Sequence, residues 1–475
     1  MLSLNPWSRS RVACYQDLGA ELRLARSSHP QTDGEANSHR STTGYSYYAT
    51  AASLTPDFYE SLLDHTWRRS GKILYRPDPR RSCCPHYTVR VSAANFRPAK
   101  DQRQAVNRFN NYVIGADYTR EATRLYPRSR AETKKRANEF DIVKRVHEAE
   151  ASSLKTPPQP SHTLAVTLEE DSCTDEKYKV FENYQRIVHK EEPDQISRNG
   201  FIRFLCESPL ERSSITGADG KKRRLGSFHQ CYRLDGVLVA VAVLDLLPSA
   251  VSSVYFFYHE SIHKLSPGKV GAMREIAMAL EDGYEWWYPG YYIPRCPKMR
   301  YKADYTPQEI LDPETLLWSP LDGSLLELME KEHYVSISGR RASLGTTEVA
   351  GAGLSAQQEA QGSGRMNVDP GEDEGDEDAD VGVVADEDDS DDEGESLWKK
   401  NMPGVSNVED MSVVDLDHVT AHLGRQVTYE VSRFRGWADH GIDEWPHFKT
   451  KIAQFIAALG PDLKDQVCID MRYVL

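Results

Sequence analysis

The 475-residue sequence contains no apolar run of the ~18–20 residues that a transmembrane helix requires. Its N-terminus has no basic stretch followed by an apolar core, so we expect no secretory signal. Eight cysteines are too few for a disulfide framework in a chain of this length. These absences predict a cytoplasmic protein, with the nucleus as a second compartment, and no membrane partner.

Lysine and arginine are absent from residues 369–395, which hold 16 of the 72 acidic side chains. When this segment is set aside, the net charge of −14 becomes +2, so the acidity does not exclude nucleic-acid binding by the remainder. Such a segment is a solubilising linker, a partner-binding tail or a self-inhibitory mimic of a nucleic acid. Its composition favours the linker.

Composition divides the chain into six segments. We expect a disordered N-terminus, an N-terminal domain, a proline-containing linker, a C-terminal domain, a disordered acidic linker, and a tail whose helix packs on the core. In that order the boundaries are 1–43, 44–150, 151–174, 175–337, 338–396 and 397–475.

Hydrophobic periodicity predicts alternating helices and strands. Thr55 followed by Pro56 indicates the start of a helix that runs to about Trp67. Asp235-Gly236 between two apolar runs predicts a type I′ hairpin. The mixed order predicts an α/β (α+β) fold, a sheet covered by helices. Further helices are expected over 101–114, 118–145, 197–207, 270–281 and within 441–459, and strands over 72–75, 87–91, 229–233, 237–246, 253–258 and 286–291.

Several long strings resemble the arginyl-tRNA–protein transferases of eukaryotes, among them Trp-Arg-Arg-Ser-Gly-Lys at 67–72 and Cys-Cys-Pro-His-Tyr-Thr-Val-Arg at 83–90. Together they cover about 44–321, and so many motifs in one order are far more specific than one short pattern. The other matching strings lie at 201–210, 226–230, 245–248, 252–255, 274–277, 296–302 and 313–315.

The resemblance implies transfer of arginine from arginyl-tRNA to the N-terminal amine of proteins that begin with Asp, Glu or oxidised Cys. The product would be marked for ubiquitin-dependent degradation. It also implies a small N-terminal domain and a C-terminal domain of the GNAT acyltransferase type, which does not use coenzyme A. We expect a monomer. The alternatives are a coenzyme A-dependent N-acyltransferase and a non-catalytic protein that binds acidic N-termini in the same pathway.

The family holds an iron–sulfur cluster with a Cys-Gly-Tyr-Cys motif and a later Cys-Cys pair. Cys83 and Cys84 match the later pair and are the candidate ligands, but the first motif is missing and only Cys14 lies upstream. Four thiolates are the usual ligand set. A mispredicted first exon or a true loss of the cluster would explain the departure.

Transfer of arginine is aminolysis of an activated ester, so it needs orientation, a modest base and an oxyanion donor rather than a covalent nucleophile. Asp245 lies in an apolar strand, where a carboxylate is either functional or structural. The functional alternatives are a base and the carboxylate that holds the arginine side chain, and the structural one is a pair with an arginine or the backbone. His229 is a proton relay or a structural histidine. Tyr255 is an oxyanion donor, a stacking partner for the terminal adenine, or an ordinary strand tyrosine. We take these three as the catalytic candidates.

The remaining candidates would bind the two substrates. Arg or Lys suits the acceptor carboxylate, and the tyrosines at 255 and 258 lie on opposite faces of their strand, so at most one points at a given site. A basic helix at 118–145 is either a solvated face or a contact for RNA phosphates. The substrate-binding candidates are Gln230, Tyr258, Arg274, Lys298, Arg300, Tyr301 and Lys302, and the tRNA-binding candidates are Arg128, Arg130, Lys134, Lys135, Arg136 and Lys269.

Overall fold

The computed structural model describes residues 45–217, 220–339, 396–423 and 427–471, and the backbone of three short strands within 10–14, 23–24 and 383–384. The expected disordered segments 1–43 and 338–396 therefore fall largely outside the described residues. Within the described ranges, no helix has the length and apolar character needed to span a membrane.

The strands follow one another from the N-terminal segment to the end of the chain. In chain order they are β1 (Ser10–Cys14), β2 (Arg23–Leu24), β3 (Ser46–Ser53), β4 (Arg68–Ser70), β5 (Ile73–Pro77), β6 (Tyr87–Ser92), β7 (Leu164–Glu170), β8 (Ser213–Thr216), β9 (Lys222–Leu234), β10 (Val237–Leu246), β11 (Ala250–Tyr258), β12 (Trp286–Tyr288), β13 (Tyr291–Tyr292), β14 (Gln308–Leu311), β15 (Trp318–Pro320), β16 (Val383–Val384), β17 (Thr420–His422), β18 (Thr428–Glu430) and β19 (Val467–Asp470).

The helices lie between these strands. They are α1 (Pro56–Asp64), α2 (Lys100–Ile114), α3 (Ala116–Leu125), α4 (Arg130–Asn138), α5 (Ile142–Val146), α6 (Asp175–Tyr184), α7 (Arg198–Phe201), α8 (Pro267–Asp282), α9 (Pro297–Arg300) and α10 (Gly323–Lys331), followed by Leu397–Lys400, Val408–Ser412 and Phe448–Leu459. Shorter 3₁₀ or π turns lie at Gln185–His189, Ile202–Cys206, Glu260–Leu265, Tyr301–Asp304, Val431–Arg433 and Pro461–Gln466.

A ten-stranded sheet forms the centre of the molecule, in the order β15-β14-β6-β12-β11-β10-β9-β7, with β13 on β6 and β8 on β9. Phe257 packs on Phe181 of α6, whereas Phe256 packs on Gly271 of α8, so these two helices cover opposite faces. The β9–β10 turn has positive φ at both Asp235 (52°) and Gly236 (81°), which confirms the type I′ hairpin. The architecture confirms the α/β (α+β) class.

A seven-stranded sheet, β18-β17-β19-β1-β3-β5-β4, joins the two ends of the chain. Buried Arg76 of β5 donates hydrogen bonds to the carbonyls of Ala458 (2.6 Å), Gly404 (2.9 Å) and Pro403 (3.1 Å). The Trp67 indole N–H donates to the same Ala458 carbonyl at 2.9 Å. The segment after residue 396 is therefore built into the core of this sheet.

Strand pairing crosses the segment boundaries expected from composition. β6 comes from 44–150 but lies between β14 and β12 in the ten-stranded sheet. β7 comes from the expected linker 151–174 and pairs with β9 along seven residue positions. Periodicity reports which local segments are extended, but it carries no information on which distant strand each one pairs with.

The predicted first residues of the helices agree with the structure better than the predicted helix lengths do. Thr55 accepts a hydrogen bond from the Phe58 N–H at 3.3 Å, which confirms the N-cap, although α1 ends at Asp64. The single basic helix expected over 118–145 is wrong. It is three helices, because Pro127 interrupts the first, and Ser129 and Asp141 each cap a new one. The helix expected over 197–207 is one α-helical turn followed by a π turn.

Candidate active site

The three catalytic candidates share one face of the ten-stranded sheet. Val243 of β10 pairs with His229 of β9 on one side and with Tyr255 of β11 on the other. Asp245 lies two residues further along β10, so its side chain points to the same face. This face is sealed, since Asp245 and His229 are 0% exposed and Tyr255 is 2% exposed.

Asp245 forms an ion pair with Arg69, which comes from β4 of the other sheet. The Arg69 Nε donates to Oδ2 at 2.7 Å and Nη2 donates to Oδ1 at 2.6 Å. The Arg69 Nη2 also donates to the Ser227 hydroxyl at 3.0 Å. Both carboxylate oxygens are therefore occupied within the protein. This geometry favours the structural alternative, a pair with arginine, and the role of Asp245 as a base stays a prediction.

His229 is a neutral, fixed histidine in this structure. Its Nε2 lies 3.0 Å from the Leu205 carbonyl, and a carbonyl can only accept, so Nε2 carries the proton. Nδ1 is buried and has no hydrogen-bond partner within the described ranges. Burial, reinforced by the cation of Lys177, lowers the pKa of His229 to about 4. The ring is positioned by the backbone and has no path to solvent.

Tyr255 and Tyr258 bond to different histidines but contact the same aromatic ring. The Tyr255 hydroxyl lies 3.2 Å from His189 Nε2, and the Tyr258 hydroxyl lies 3.0 Å from His263 Nδ1. The ring centroid of Tyr184 in α6 is 6.2 Å from that of Tyr255 and 4.9 Å from that of Tyr258. The two tyrosines were expected on opposite faces of β11, but both reach the Tyr184 ring near the end of the strand.

Two substrate-binding candidates lie on the opposite side of the sheet, Gln230 of β9 under α8 and Arg274 on α8 itself. Gln230 accepts a hydrogen bond from the Tyr232 hydroxyl at 2.7 Å. Arg274 is buried, donates to the Val146 carbonyl at 2.9 Å and forms an ion pair with Glu150. Burial lowers the pKa of Arg274 to about 10. Both side chains are engaged inside the protein and lie across the sheet from the catalytic candidates.

The predicted tRNA-binding residues form an exposed basic surface on α4 and its flanks. Glu148 neutralises part of it by pairing with Arg136 at 2.6 Å and with Arg128 at 3.8 Å. Arg130 and Lys134 form no ion pair with any residue that the structure describes.

The other two basic candidates pair with neighbouring carboxylates. Lys135 pairs with Glu139 at 3.8 Å, and Lys269 at the start of α8 pairs with Asp101 of α2 at 3.4 Å. Beside the basic surface lies an open cavity of about 400 Å³, lined by Arg136, Val143, Lys144, His147, Glu148 and Ser153.

The basic residues of α9 and the following turn do not converge. Arg300 is exposed and pairs with Glu330 of α10, whereas Lys302 is 3% exposed. Lys298 is half-buried, and the ring of Tyr301 packs on the ring of Tyr305. A joint site for one carboxylate is therefore not formed by these side chains as they stand.

The cysteine pair lies on the loop between β5 and β6. The Cys83 and Cys84 sulfurs are 3.3 Å apart. Cys83 is exposed, whereas Cys84 and Cys296 both pack against a small apolar cluster of Tyr291, Ile293 and Met299. Burial and the neighbouring Cys83 raise the pKa of the Cys84 thiol to about 11. In the described part of the chain, no three His, Cys, Asp or Glu residues are grouped to hold a metal ion. The described donors therefore do not fit a four-thiolate iron–sulfur cluster.

One buried carboxylate was missed by the sequence reasoning. Glu275 of α8 is 1% exposed and accepts a hydrogen bond from the Trp287 indole N–H at 2.8 Å. Burial raises its pKa to about 7, against hydrogen bonds from Trp287 and Ser253 that lower it. The sequence does contain a signal for this residue. Glu275 is a carboxylate within the largely apolar run 270–280, just as Asp245 is a carboxylate within an apolar strand.

Comparisons with known proteins match both halves of this arrangement. Residues 30–104 match the family model "Arginine-tRNA-protein transferase, N terminus", and residues 176–312 match "Arginine-tRNA-protein transferase, C terminus". Arg69 lies in the first match and Asp245 in the second.

The similar curated proteins are named as transferases. Arginyl-tRNA–protein transferase 1 of Saccharomyces cerevisiae is 33% identical over 269 residues, which cover 54% of this chain and 48% of that protein. Arginyl-tRNA–protein transferase 2 of Arabidopsis thaliana is 25% identical over 463 residues, covering 63% of this chain and 76% of that protein. An aspartate/glutamate leucyltransferase of Pseudomonas fluorescens is 29% identical over 258 residues, covering 53% and 79%.

The aligned part of the chain spans about half the length of the yeast relative. The N-terminal and C-terminal matches nevertheless occur in one chain and in the expected order. The chain is therefore similar to the arginyl-tRNA–protein transferases over both of these segments.

Proposed function

We propose that this protein transfers arginine from arginyl-tRNA to the N-terminal α-amine of proteins that begin with Asp or Glu, or with oxidised Cys. The observation that carries the proposal is the presence of both family domains in one chain, tied together by the buried Arg69–Asp245 pair.

The reaction is aminolysis of the ester that joins arginine to the tRNA ribose. The attacking α-amine has a pKa of ~7.7–8.0, so a weak base near neutral pH is sufficient. An acidic acceptor residue is supported by the bacterial relatives, which are named aspartate/glutamate leucyltransferases. The donor amino acid is supported by the eukaryotic relatives, which are named for arginyl-tRNA.

The basic surface on α4, with Arg130 and Lys134 unpaired among the described residues, is the proposed contact for the tRNA backbone. The cavity of about 400 Å³ beside it has Lys144 and Arg136 in its wall, but Arg136 pairs with Glu148 of the same wall and Lys144 pairs with Asp141, so the proposal rests on Arg130 and Lys134. We also propose that the protein acts as a monomer in the cytoplasm, with the nucleus as a second compartment, and that its products enter ubiquitin-dependent degradation.

The test is transfer of labelled arginine from charged tRNA to peptides that begin with Asp, Glu or Ala. Label on the Asp and Glu peptides alone supports the proposal. In the control reactions, leucyl-tRNA or acetyl-coenzyme A replaces arginyl-tRNA as the donor. Transfer from leucyl-tRNA alone would reassign the donor, and transfer from acetyl-coenzyme A without tRNA would favour an N-acyltransferase. Peptide binding without any transfer would leave a non-catalytic binder of acidic N-termini.

A further inference from the structure

Arg68 is a buried arginine on β4, beside the Arg69 that pairs with Asp245. It is 6% exposed and forms no ion pair with any residue that the structure describes. Its Nη1 donates to the carbonyls of Trp67 at 2.8 Å and Leu63 at 3.4 Å. Its Nε and Nη2 are buried and have no hydrogen-bond partner within the described ranges. Arginine is rarely buried without a partner, so these two donors point to a group that binds from outside the fold.

The neighbouring Arg69 shows which group this edge of a guanidinium selects. Arg69 donates from Nε and Nη2 to the two carboxylate oxygens of Asp245, at 2.7 and 2.6 Å. The same two atoms lack partners in Arg68. They lie side by side in the guanidinium plane and match the spacing of the two oxygens of a carboxylate. The Nε–Nη2 edge of Arg68 is therefore complementary to a carboxylate.

Aromatic rings hold the Arg68 guanidinium in place without neutralising it. Its Cζ lies 5.0 Å from the ring centroid of Tyr291 and 5.7 Å from that of Tyr288. Both tyrosine hydroxyls donate elsewhere, to the Thr66 carbonyl and to the Asp64 carboxylate. The ring faces attract the cation, but they do not accept hydrogen bonds from its Nε and Nη2. The guanidinium is thus positioned before a ligand binds, which lowers the entropic cost of binding.

Partly exposed side chains lie around this guanidinium. Arg68 is directly opposite Tyr75 of β5, and β4 is the edge strand of the seven-stranded sheet, so both side chains lie on one face. Tyr75 is partly exposed, and its ring centroid lies 6.1 Å from that of Tyr291. Cys84 and Cys296 are also partly exposed and pack on the cluster that contains Tyr291. These three side chains therefore border the approach from solvent to Arg68.

We propose that Arg68 binds the side-chain carboxylate of the Asp or Glu at the N-terminus of the acceptor protein, and thereby selects acidic acceptors. The inference rests on the proposed function and names the residue that sets its acceptor class. Arg68 would contact the substrate, but it would take no part in the proton transfers of aminolysis.

A tRNA phosphate is the other anion that fits this edge of a guanidinium. The burial of Arg68 favours the short side chain of Asp or Glu over a phosphate within a polynucleotide backbone, which exposed bases such as those of α4 suit better. The position of Arg68 also suits the acceptor, because the adjacent Arg69 joins the two segments that the family models match.

The test compares kcat/KM for a peptide that begins with Asp and for the same peptide beginning with Asn, using the full-length protein and saturating arginyl-tRNA. Asn has the shape of Asp without its charge. We expect Arg68→Gln to lower the Asp/Asn ratio by about 10²-fold, because two charge-assisted hydrogen bonds are lost. Arg68→Lys keeps the charge but not the two parallel donors, so it should retain part of the ratio. The ratio does not depend on how much of a variant is folded.

Arg90→Gln is the matched control. The Arg90 Cζ also lies against two aromatic rings, 3.7 Å from the centroid of Trp286 and 3.9 Å from that of Trp318, but its Nε already donates to Glu309 at 2.8 Å. We expect this variant to keep the wild-type Asp/Asn ratio. If Arg68→Gln slows transfer to both peptides equally, Arg68 is a structural residue and the proposal is overturned. Weaker tRNA binding with an unchanged ratio would overturn it in favour of a phosphate.

Peptide binding without tRNA separates this inference from the proposed function. Fluorescence anisotropy of the labelled peptides should show that Arg68→Gln weakens binding of the Asp-peptide and not of the Asn-peptide. If the wild-type protein binds the Asp-peptide through Arg68 but transfers no arginine, the proposed function fails and the carboxylate site stands. If it transfers arginine and Arg68→Gln keeps the wild-type ratio, the site fails and the proposed function stands. A wild-type protein that neither binds nor transfers overturns both.

Discussion

Arg69 and Asp245 lie 176 residues apart in the chain and meet as a two-point ion pair between the sheets, with N–O distances of 2.7 and 2.6 Å. The pair links the two segments that the family models match. Its burial is nearly complete, with side-chain exposures of 1% and 0%. An isolated charge at this depth would be strongly unfavourable, so the two lobes depend on each other for charge compensation.

Removing one partner of this pair should destabilise the protein more than removing both. We expect Asp245→Ala to lower the free energy of unfolding by ~3–5 kcal/mol, because it leaves Arg69 charged and buried. The double variant Arg69→Met/Asp245→Leu should recover most of that loss. Urea unfolding followed by fluorescence measures both. If Asp245→Ala abolishes transfer but leaves the unfolding curve unchanged, Asp245 is a catalytic residue instead.

Gly71→Ala should be much more harmful than Gly236→Ala. Both glycines have positive φ, +56° and +81°, so both variants carry a backbone cost of ~1–2 kcal/mol. A Cβ at Gly71 would also lie 1.9 Å from the Arg203 carbonyl oxygen, whereas a Cβ at Gly236 would meet nothing within 4 Å. Overpacking adds ~1–3 kcal/mol. The difference in urea midpoint between the two variants tests this, and equal midpoints would contradict it.

The sequence predicts the helices and strands of this fold well, but it predicts poorly which strands and which side chains pair with each other. Local signals such as the Thr55 cap and the Asp235-Gly236 turn depend on neighbouring residues, and the structure has both. The pairing of β19 with β1 depends on segments more than 400 residues apart, and no local pattern encodes it. Asp245 is recognisable as an unusual buried carboxylate, but nothing near it in the sequence identifies Arg69 as its partner.

The candidate site, too, can be predicted from the sequence only in part. Sequence patterns place Asp245, His229 and Tyr255 on neighbouring strands, and the register brings them to one face. The patterns do not reveal that this face is sealed, because burial is set by how α6 and the π turns cover it. The bulge that β11 carries at Val254 is equally invisible, since a one-residue offset leaves no trace in composition.

The stability of the protein should fall as the solution is acidified from pH 6.5 to 4, in part because of His229. The pKa of His229 is about 4 in the fold and about 6.5 in the unfolded chain, so only the unfolded state gains the proton in this window. The stabilisation is complete above pH 6.5 and is lost toward pH 4, at up to ~1.4 kcal/mol per pH unit. His229→Gln should show a shallower loss in unfolding experiments across this range. An unchanged slope would contradict it.

Arg76 should hold the segment after residue 396 on the seven-stranded sheet. Its guanidinium is 0% exposed and bonds to three carbonyls from beyond residue 400. Arg76→Met leaves those carbonyls without their donor, at ~1–3 kcal/mol for each group that stays buried and unsatisfied. We expect Arg76→Met to expose the 396–471 segment to limited proteolysis. Arg81→Met, on an exposed neighbour whose guanidinium lies over the Tyr45 ring, is the control and should remain resistant.

The α4 surface should bind RNA through charge, so its contribution should appear in the salt dependence of tRNA binding. Arg130 and Lys134 lie one turn apart on α4 and are unpaired within the described residues, which leaves both available to phosphates. The double variant Arg130→Gln/Lys134→Gln should weaken binding and reduce the slope of log K against log[salt] by about 1.4–1.8, as expected for two lost phosphate contacts. The matched control is Arg120→Gln/Arg124→Gln on α3, whose charges already pair with Asp117 and Glu121. Equal slopes for the two double variants would mean that α4 is only a solvated face, and that the tRNA backbone binds elsewhere.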